Sequence, residues 1–124
     1  MRSNSDGDVL FHALTNAVSS ITGINILGEI ADNLCQQGIT DSSEYLKLAL
    51  QDLEDWQVQH IAVSIECLTP KISPFIADMK TNIAKLFNIS PNDVGINATT
   101  GEGLTAFGRG EGIQVLCIIS TLKL

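Results

Sequence analysis

The sequence predicts an α+β protein, a two-layer sandwich in which helices cover one face of a mixed sheet and the other face packs against further subunits. Three observations lead there. Apolar residues recur at helical spacing in three segments, and three other segments read as strands, one by a clean period of two. The last strand is apolar on nearly both faces, and a chain of 124 residues has helices enough to cover only one of them. That length is also the size of one domain, spanning residues 1–124.

The first helix begins almost at the N-terminus. Val9, Leu10, Ala13, Leu14, Ala17, Val18 and Ile21 form its stripe, and Gly23 supplies a stop. Ser5 followed three residues later by Asp8 resembles a capping box with Asp in place of Glu. A second helix is predicted over residues 42–54, capped by Asp41 or Ser42, with Tyr45, Leu46, Ala49, Leu50 and Leu53 as its apolar stripe. From 61 to 68 the period becomes two, with Ile61, Val63, Ile65 and Cys67 on one face of a strand. Ser73-Pro74 then carries the cap-plus-proline signature of a helix start, continued by Phe75, Ile76, Met79, Ile83, Leu86 and Phe87. Ser90-Pro91-Asn92-Asp93 is a short capped turn into a strand at 94–99. In the last strand, 113–122, Ile113, Val115, Cys117 and Ile119 point one way and Leu116, Ile118 and Leu122 the other.

Seven Lys and Arg against fourteen Asp and Glu leave a net charge of −7, which disfavours nucleic acid and anionic membranes as partners. An apolar content of 44% excludes a disordered chain. No run approaches the ~18 apolar residues of a membrane helix, and residues 1–8 hold no signal-peptide core. Cys35, Cys67 and Cys117 are odd in number and far apart, which suits a reducing cytoplasm and small core residues.

Glycine placement marks the candidate site. Gly101, Gly103, Gly108, Gly110 and Gly112 crowd the connection between the last two strands, beside Thr99, Thr100, Glu102, Arg109 and Glu111. Hydroxyls, exposed amides and an arginine hold phosphate oxygens, and a carboxylate holds a divalent cation between them. A diphosphate with a metal is the guest this suggests; the plainer reading is a flexible hairpin loop. Gly101-x-Gly103-x-x-Ala106 matches the dinucleotide fingerprint only by accident, because no helix follows it, and no Gly-Lys-Ser/Thr is present for a P-loop. On the first helix, Ser5, Asp8, His12, Asn16 and Ser19 share a polar sector, with Asp8 and His12 spaced to bind one cation or simply to face water. His60, at a strand entrance, reads as a surface residue. Lys71, just after a strand, can meet a phosphate or a base edge, or only solvent.

Taken in order, these segments resemble one family. Ser5-Asp6-Gly7-Asp8-Val9-Leu10-Phe11-His12-Ala13, Asp41-Ser42, Pro70-Lys71, Ala98-Thr99-Thr100-Gly101-Glu102-Gly103-Leu104 and Gly108-Arg109-Gly110-Glu111-Gly112-Ile113 are similar to the motifs of the 2-C-methyl-D-erythritol 2,4-cyclodiphosphate synthase family of non-mevalonate isoprenoid biosynthesis. The resemblance covers essentially the whole chain. It implies a homotrimer with sheets lining a central core and active sites between neighbouring subunits. The implied reaction is cyclisation of 4-diphosphocytidyl-2-C-methyl-D-erythritol 2-phosphate with release of CMP. It implies that His12 binds Zn2+ and Glu102 a second divalent ion, Mg2+ or Mn2+. Thr99 and Thr100 lie at the diphosphate in this family, Thr100 stabilising the transition state, and Arg109 lies near the phosphates. The segment 67–73, with Cys67, Lys71, Ile72 and Ser73, holds the cytidine, while Ser5 and Gly28 lie near the rest of the substrate.

The chain departs from the family pattern at the zinc and methylerythritol end. The family's first strand, whose Asp-x-His supplies two of the three zinc ligands, is expected upstream of Met1. Asn4 stands in the catalytic position of a family histidine, Asn16 in that of an aspartate, and Asn25-Ile26-Leu27-Gly28 replaces Gly-Asp-Ile-Gly. A working synthase, a trimer that binds cytidine nucleotides without turnover, and a plain α/β interaction domain are the three readings, and the tandem glycine motifs speak against the last.

Overall fold

The computed structural model describes residues 4–30, 36, 42–68, 72–100, 104–107 and 109–124, and for 4–8 and 29–30 the backbone alone. Helix α1 (Asn4–Thr22) leads through a kinked turn at Ile26–Ile30 towards helix α2 (Ser42–Leu50). Strand β1 (Trp56–Glu66), helix α3 (Ile76–Phe87), strand β2 (Val94–Thr99) and strand β3 (Gln114–Lys123) follow. The sheet order is β2-β1-β3, with β1 parallel to β2 and antiparallel to β3. The mixed sheet and α+β class are those the sequence predicts.

One face of the sheet makes the core. Ile61, Val63 and Ile65 of β1 are buried in register with Val94, Ile96 and Ala98 on one side and Ile119, Cys117 and Val115 on the other. Leu10, Leu14 and Val18 of α1, Leu46 and Ala49 of α2, and Met79, Ile83 and Phe87 of α3 complete it. Thr15 is buried among them because its hydroxyl donates to the Phe11 carbonyl, 2.7 Å away, which satisfies the polar group.

The element ends differ from the sequence reading in ways that have local causes. Helix α1 starts at Asn4, so Ser5 lies within its first turn rather than capping it. Gly23, at φ +78°, closes that helix as expected, its N–H donating to the Ser19 carbonyl. Helix α2 stops at Leu50, not near 54. Gln51, Asp52 and Leu53 continue as tighter turns bonded three residues back, which still buries Leu53.

Strand β1 starts at Trp56, five residues before Ile61. An irregularity between Val58 and His60 shifts the alternation, so the inward set passes from Trp56 and Val58 to Ile61, Val63 and Ile65. A strict period of two cannot be followed through that shift. His60 therefore sits within the strand rather than at its entrance, exposed and beside Gly95 of β2.

Ser73 does not cap α3. Ser73–Phe75 forms a separate 3-10 turn without a side-chain cap, and α3 begins at Ile76. The helix ends at left-handed Asn88 (φ 57°), where the Asn88 and Ile89 amides reach back to the carbonyls of the last turn. The capped turn before β2 forms as predicted, Asn92 N–H donating to the Ser90 hydroxyl.

The other sheet face carries Leu116, Ile118 and Leu122 at 60%, 70% and 56% exposure. Among the described residues no helix is long and apolar enough to cross a membrane.

Two outcomes are expected. Leu14 is 0% exposed, so Leu14→Ala should cost about 2–5 kcal/mol in urea unfolding with an unchanged slope; a loss under about 1 kcal/mol would mean that α1 is not part of the cooperative core. Burial pushes the Cys117 thiol from 9.0 up to about 12. The thiolate is the reactive form, so Cys117 should resist iodoacetamide at pH 8 until the chain is unfolded, as read by mass spectrometry. The unfolded thiol ionises at lower pH than the folded one, so this group subtracts stability as pH rises from 9.0 towards about 12 and not below.

Candidate functional site

Parallel pairing brings the C-terminal ends of β1 and β2 to one edge of the sheet, and antiparallel β3 starts there. Glu66 stands opposite Thr99 on one side and Gln114 on the other. The Cys67 amide extends the ladder by donating to the Thr99 carbonyl at 3.1 Å. Thr99 and Thr100 end at this edge exposed, while Cys67 beside them is buried. In sheets with parallel strands, this is the edge where ligands bind.

The turn between β2 and β3 is tied to the same edge. Leu68 N–H donates to the Phe107 carbonyl at 3.1 Å, and the Thr105 hydroxyl donates to Glu66 Oε1 at 2.6 Å. Within the turn, Arg109 N–H donates to the Thr105 and Ala106 carbonyls, Gly110 N–H to Phe107 and Glu111 N–H to Ala106. Gly110 takes φ +83°, which a side chain would strain, and lies against Leu68. These three amides are therefore used inside the turn. What the described turn offers an anion is the exposed Arg109 guanidinium. Its Nε donates to Glu111 Oε2 at 3.1 Å, which leaves the Nη pair as the fork that suits a phosphate.

Cys67, Thr99, Thr100 and Arg109 thus belong to one edge. Ile72 is buried next to the 3-10 turn, and Ser73 is exposed at its start. His12 and Gly28 belong to the helix layer instead. His12 is exposed on α1, as is Asn16 on the same sector, whereas Ser19 is half-buried with its hydroxyl 3.5 Å from the Ile26 amide. Gly28 lies in the kinked turn after α1, where an added Cβ would come within 2.7 Å of the Asn25 side chain. Ile26, in the place of the family's aspartate, is a core residue at 2% exposure. Asn4 and Ser5 lie in the first turn of α1. Lys71 and Glu102 lie outside the described residues, as do the side chains of Asn4, Ser5 and Asp8.

Among the described residues no three His, Cys, Asp or Glu side chains are grouped to hold a metal ion. A zinc site takes three protein ligands or more, so His12 by itself does not form one within that set.

Two participants escaped the sequence reading, Glu66 and Thr105. Glu66 is the single acidic residue of β1 and lies outside its apolar inward set, and Thr105 lies among the glycines of the loop. An acid at the end of a central strand was the available signal.

The chain is similar to known proteins along nearly all of its length. The YgbB family model matches residues 1–122. The 2-C-methyl-D-erythritol 2,4-cyclodiphosphate synthase of Chlamydia felis is 47% identical over 98% of this chain and 70% of its own. Among solved structures, the bifunctional IspDF of Campylobacter jejuni superposes with a TM-score of 0.84 at 30% identity, over 96% of this chain and 33% of that one. The CDP complex of IspF from Plasmodium falciparum superposes with a TM-score of 0.79 at 20% identity, over 98% and 74%, and shows the fold. With its family model matched nearly end to end, this chain belongs to the YgbB family.

Proposed function

We propose that this chain is a 2-C-methyl-D-erythritol 2,4-cyclodiphosphate synthase. The observation that carries the reading is the strand edge where Thr99 and Thr100 meet the turn bearing Arg109, because hydroxyls and a guanidinium there suit a diphosphate. The synthase name of the Chlamydia felis relative supports the activity, and the CDP complex of the Plasmodium falciparum protein supports a cytidine nucleotide as the ligand class.

In the proposed reaction, an oxygen of the substrate's 2-phosphate attacks the β-phosphorus of its own cytidine diphosphate group. The bond from that phosphorus to the bridging oxygen breaks, and the oxygen leaves as part of CMP. No covalent enzyme intermediate is needed, so the protein's contribution is positioning and charge neutralisation. Thr99 and Thr100 hold the diphosphate, with Thr100 at the oxygens where charge develops. Arg109 neutralises the phosphates, and Cys67, Lys71, Ile72 and Ser73 hold the cytidine. Asn4, Ser5 and Gly28 take the methylerythritol end. His12 is the proposed Zn2+ ligand and Glu102 the ligand for Mg2+ or Mn2+. Metal bound there would offset phosphate charge.

The proposal includes a cytoplasmic homotrimer of single-domain subunits. Leu116, Ile118 and Leu122 support the trimer, since they leave three large apolar side chains, interrupted only by Ser120, exposed on the face of β3 turned away from the described helices. Ile118→Asp should then shift the assembly from trimer to monomer by light scattering; an unchanged mass would remove this face from the interface.

The functional test is CMP release from 4-diphosphocytidyl-2-C-methyl-D-erythritol 2-phosphate with zinc and magnesium supplied. Release is expected, and His12→Ala should abolish both turnover and bound zinc while leaving the trimer intact. CDP binding without CMP release would reject the synthase reading, and unchanged zinc in His12→Ala would reject the metal assignment.

A further inference from the structure

We propose that Glu66 and Thr105 form a positioning clamp that sets Arg109 for the phosphates, an inference that rests on the synthase reading above. Glu66 is the last residue of β1, the strand held on both sides, so its carboxylate is mounted on a firmly fixed part of the sheet. The Thr105 hydroxyl donates to Glu66 Oε1 at 2.6 Å, the length of a hydrogen bond to a charged acceptor, in a partly buried setting across 39 residues of chain.

Thr105 then passes that anchorage to Arg109. Its carbonyl accepts the Arg109 amide at 3.0 Å, and the neighbouring Ala106 carbonyl accepts the amides of both Arg109 and Glu111. Glu111 in turn holds the Arg109 Nε. A shift of Thr105 would therefore move the backbone of Arg109 and of the residue that orients its guanidinium. The Leu68–Phe107 hydrogen bond ties the turn to β1 at a second point, so the turn cannot swing as a unit once both are made.

The charge on Glu66 makes a further argument. Among the described residues no cation pairs with it. A carboxylate beside a diphosphate site repels the substrate. Its presence is understandable if the strength of its bond to Thr105 offsets that repulsion by holding Arg109 in place. Both residues act through Arg109, so they are positioning residues and not catalytic ones.

The test measures CDP affinity in the presence of Mg2+ for the whole chain, with thermal melting alongside. Thr105→Val, which keeps the shape and removes the hydroxyl, should weaken CDP binding about tenfold, the scale of one charge-assisted hydrogen bond. Thr105→Ser, which restores the donor, should bind within about twofold of wild type. In an Arg109→Ala background Thr105→Val should add nothing, because the clamp acts through that side chain. Glu66→Gln keeps the acceptor oxygen and drops the charge, so an intermediate loss is expected. It also serves if Thr105→Val fails to fold.

Unchanged CDP affinity in Thr105→Val, or additive losses with Arg109→Ala, overturns the clamp. Tighter binding in Glu66→Gln also overturns it, since the carboxylate would then act by repulsion alone. A wild-type chain that does not bind CDP overturns the synthase reading and the clamp with it. Wild-type binding with an unmoved Thr105→Val removes the clamp alone.

Discussion

Everything in this molecule hangs on the two-sided pairing of β1. Its backbone groups are satisfied by a parallel partner and an antiparallel one, and Ile61, Val63 and Ile65 sit at the centre of the buried sheet face. Pairing such a strand on both sides satisfies its polar backbone while its large apolar side chains leave water. Helices α1, α2 and α3 have a place to pack only because this row exists. The irregularity between Val58 and His60 keeps both halves of β1 facing the same core, although their alternation is offset.

The same pairing builds the candidate site. Two parallel strands must finish at the same edge, and an antiparallel third must begin there, so Cys67 meets Thr99 and the Arg109 turn although it is distant from both in sequence. The turn then satisfies the amides of Arg109, Gly110 and Glu111 with its own carbonyls. Among the described groups of the turn, the Arg109 guanidinium remains exposed.

The two sheet faces have opposite characters for one reason. On β3, Val115, Cys117 and Ile119 meet the helix layer, while Leu116, Ile118 and Leu122 meet solvent within the single chain. Burial on the inner side is strong enough to hold the Cys117 thiol protonated up to about 12. The outer side combines the aliphatic row on β3 with the small residues Ala62, Ser64 and Gly95 opposite and beyond it. His60 and Ser120 stand on the same outer face, so it is mixed in character where the inner one is predominantly apolar.

Local patterns in the sequence determined the α+β class, the inward set Ile61, Val63 and Ile65, β2 at Val94–Thr99, the two-faced apolar β3 and the family motifs around Thr99 and Arg109. These are readable because they repeat at 2.0 or 3.6 residues, or depend on near neighbours. Tertiary structure alone decided where periodicity breaks. The shift before His60 hid the first five residues of β1, and packing set the end of α2 at Leu50 and moved the start of α3 past Ser73. It also decided that the amides of Arg109, Gly110 and Glu111 are bonded within the turn and that Glu66 meets Thr105. The last contact joins residues far apart in sequence, and no local pattern encodes a partner that only the pairing of three strands brings within hydrogen-bonding distance.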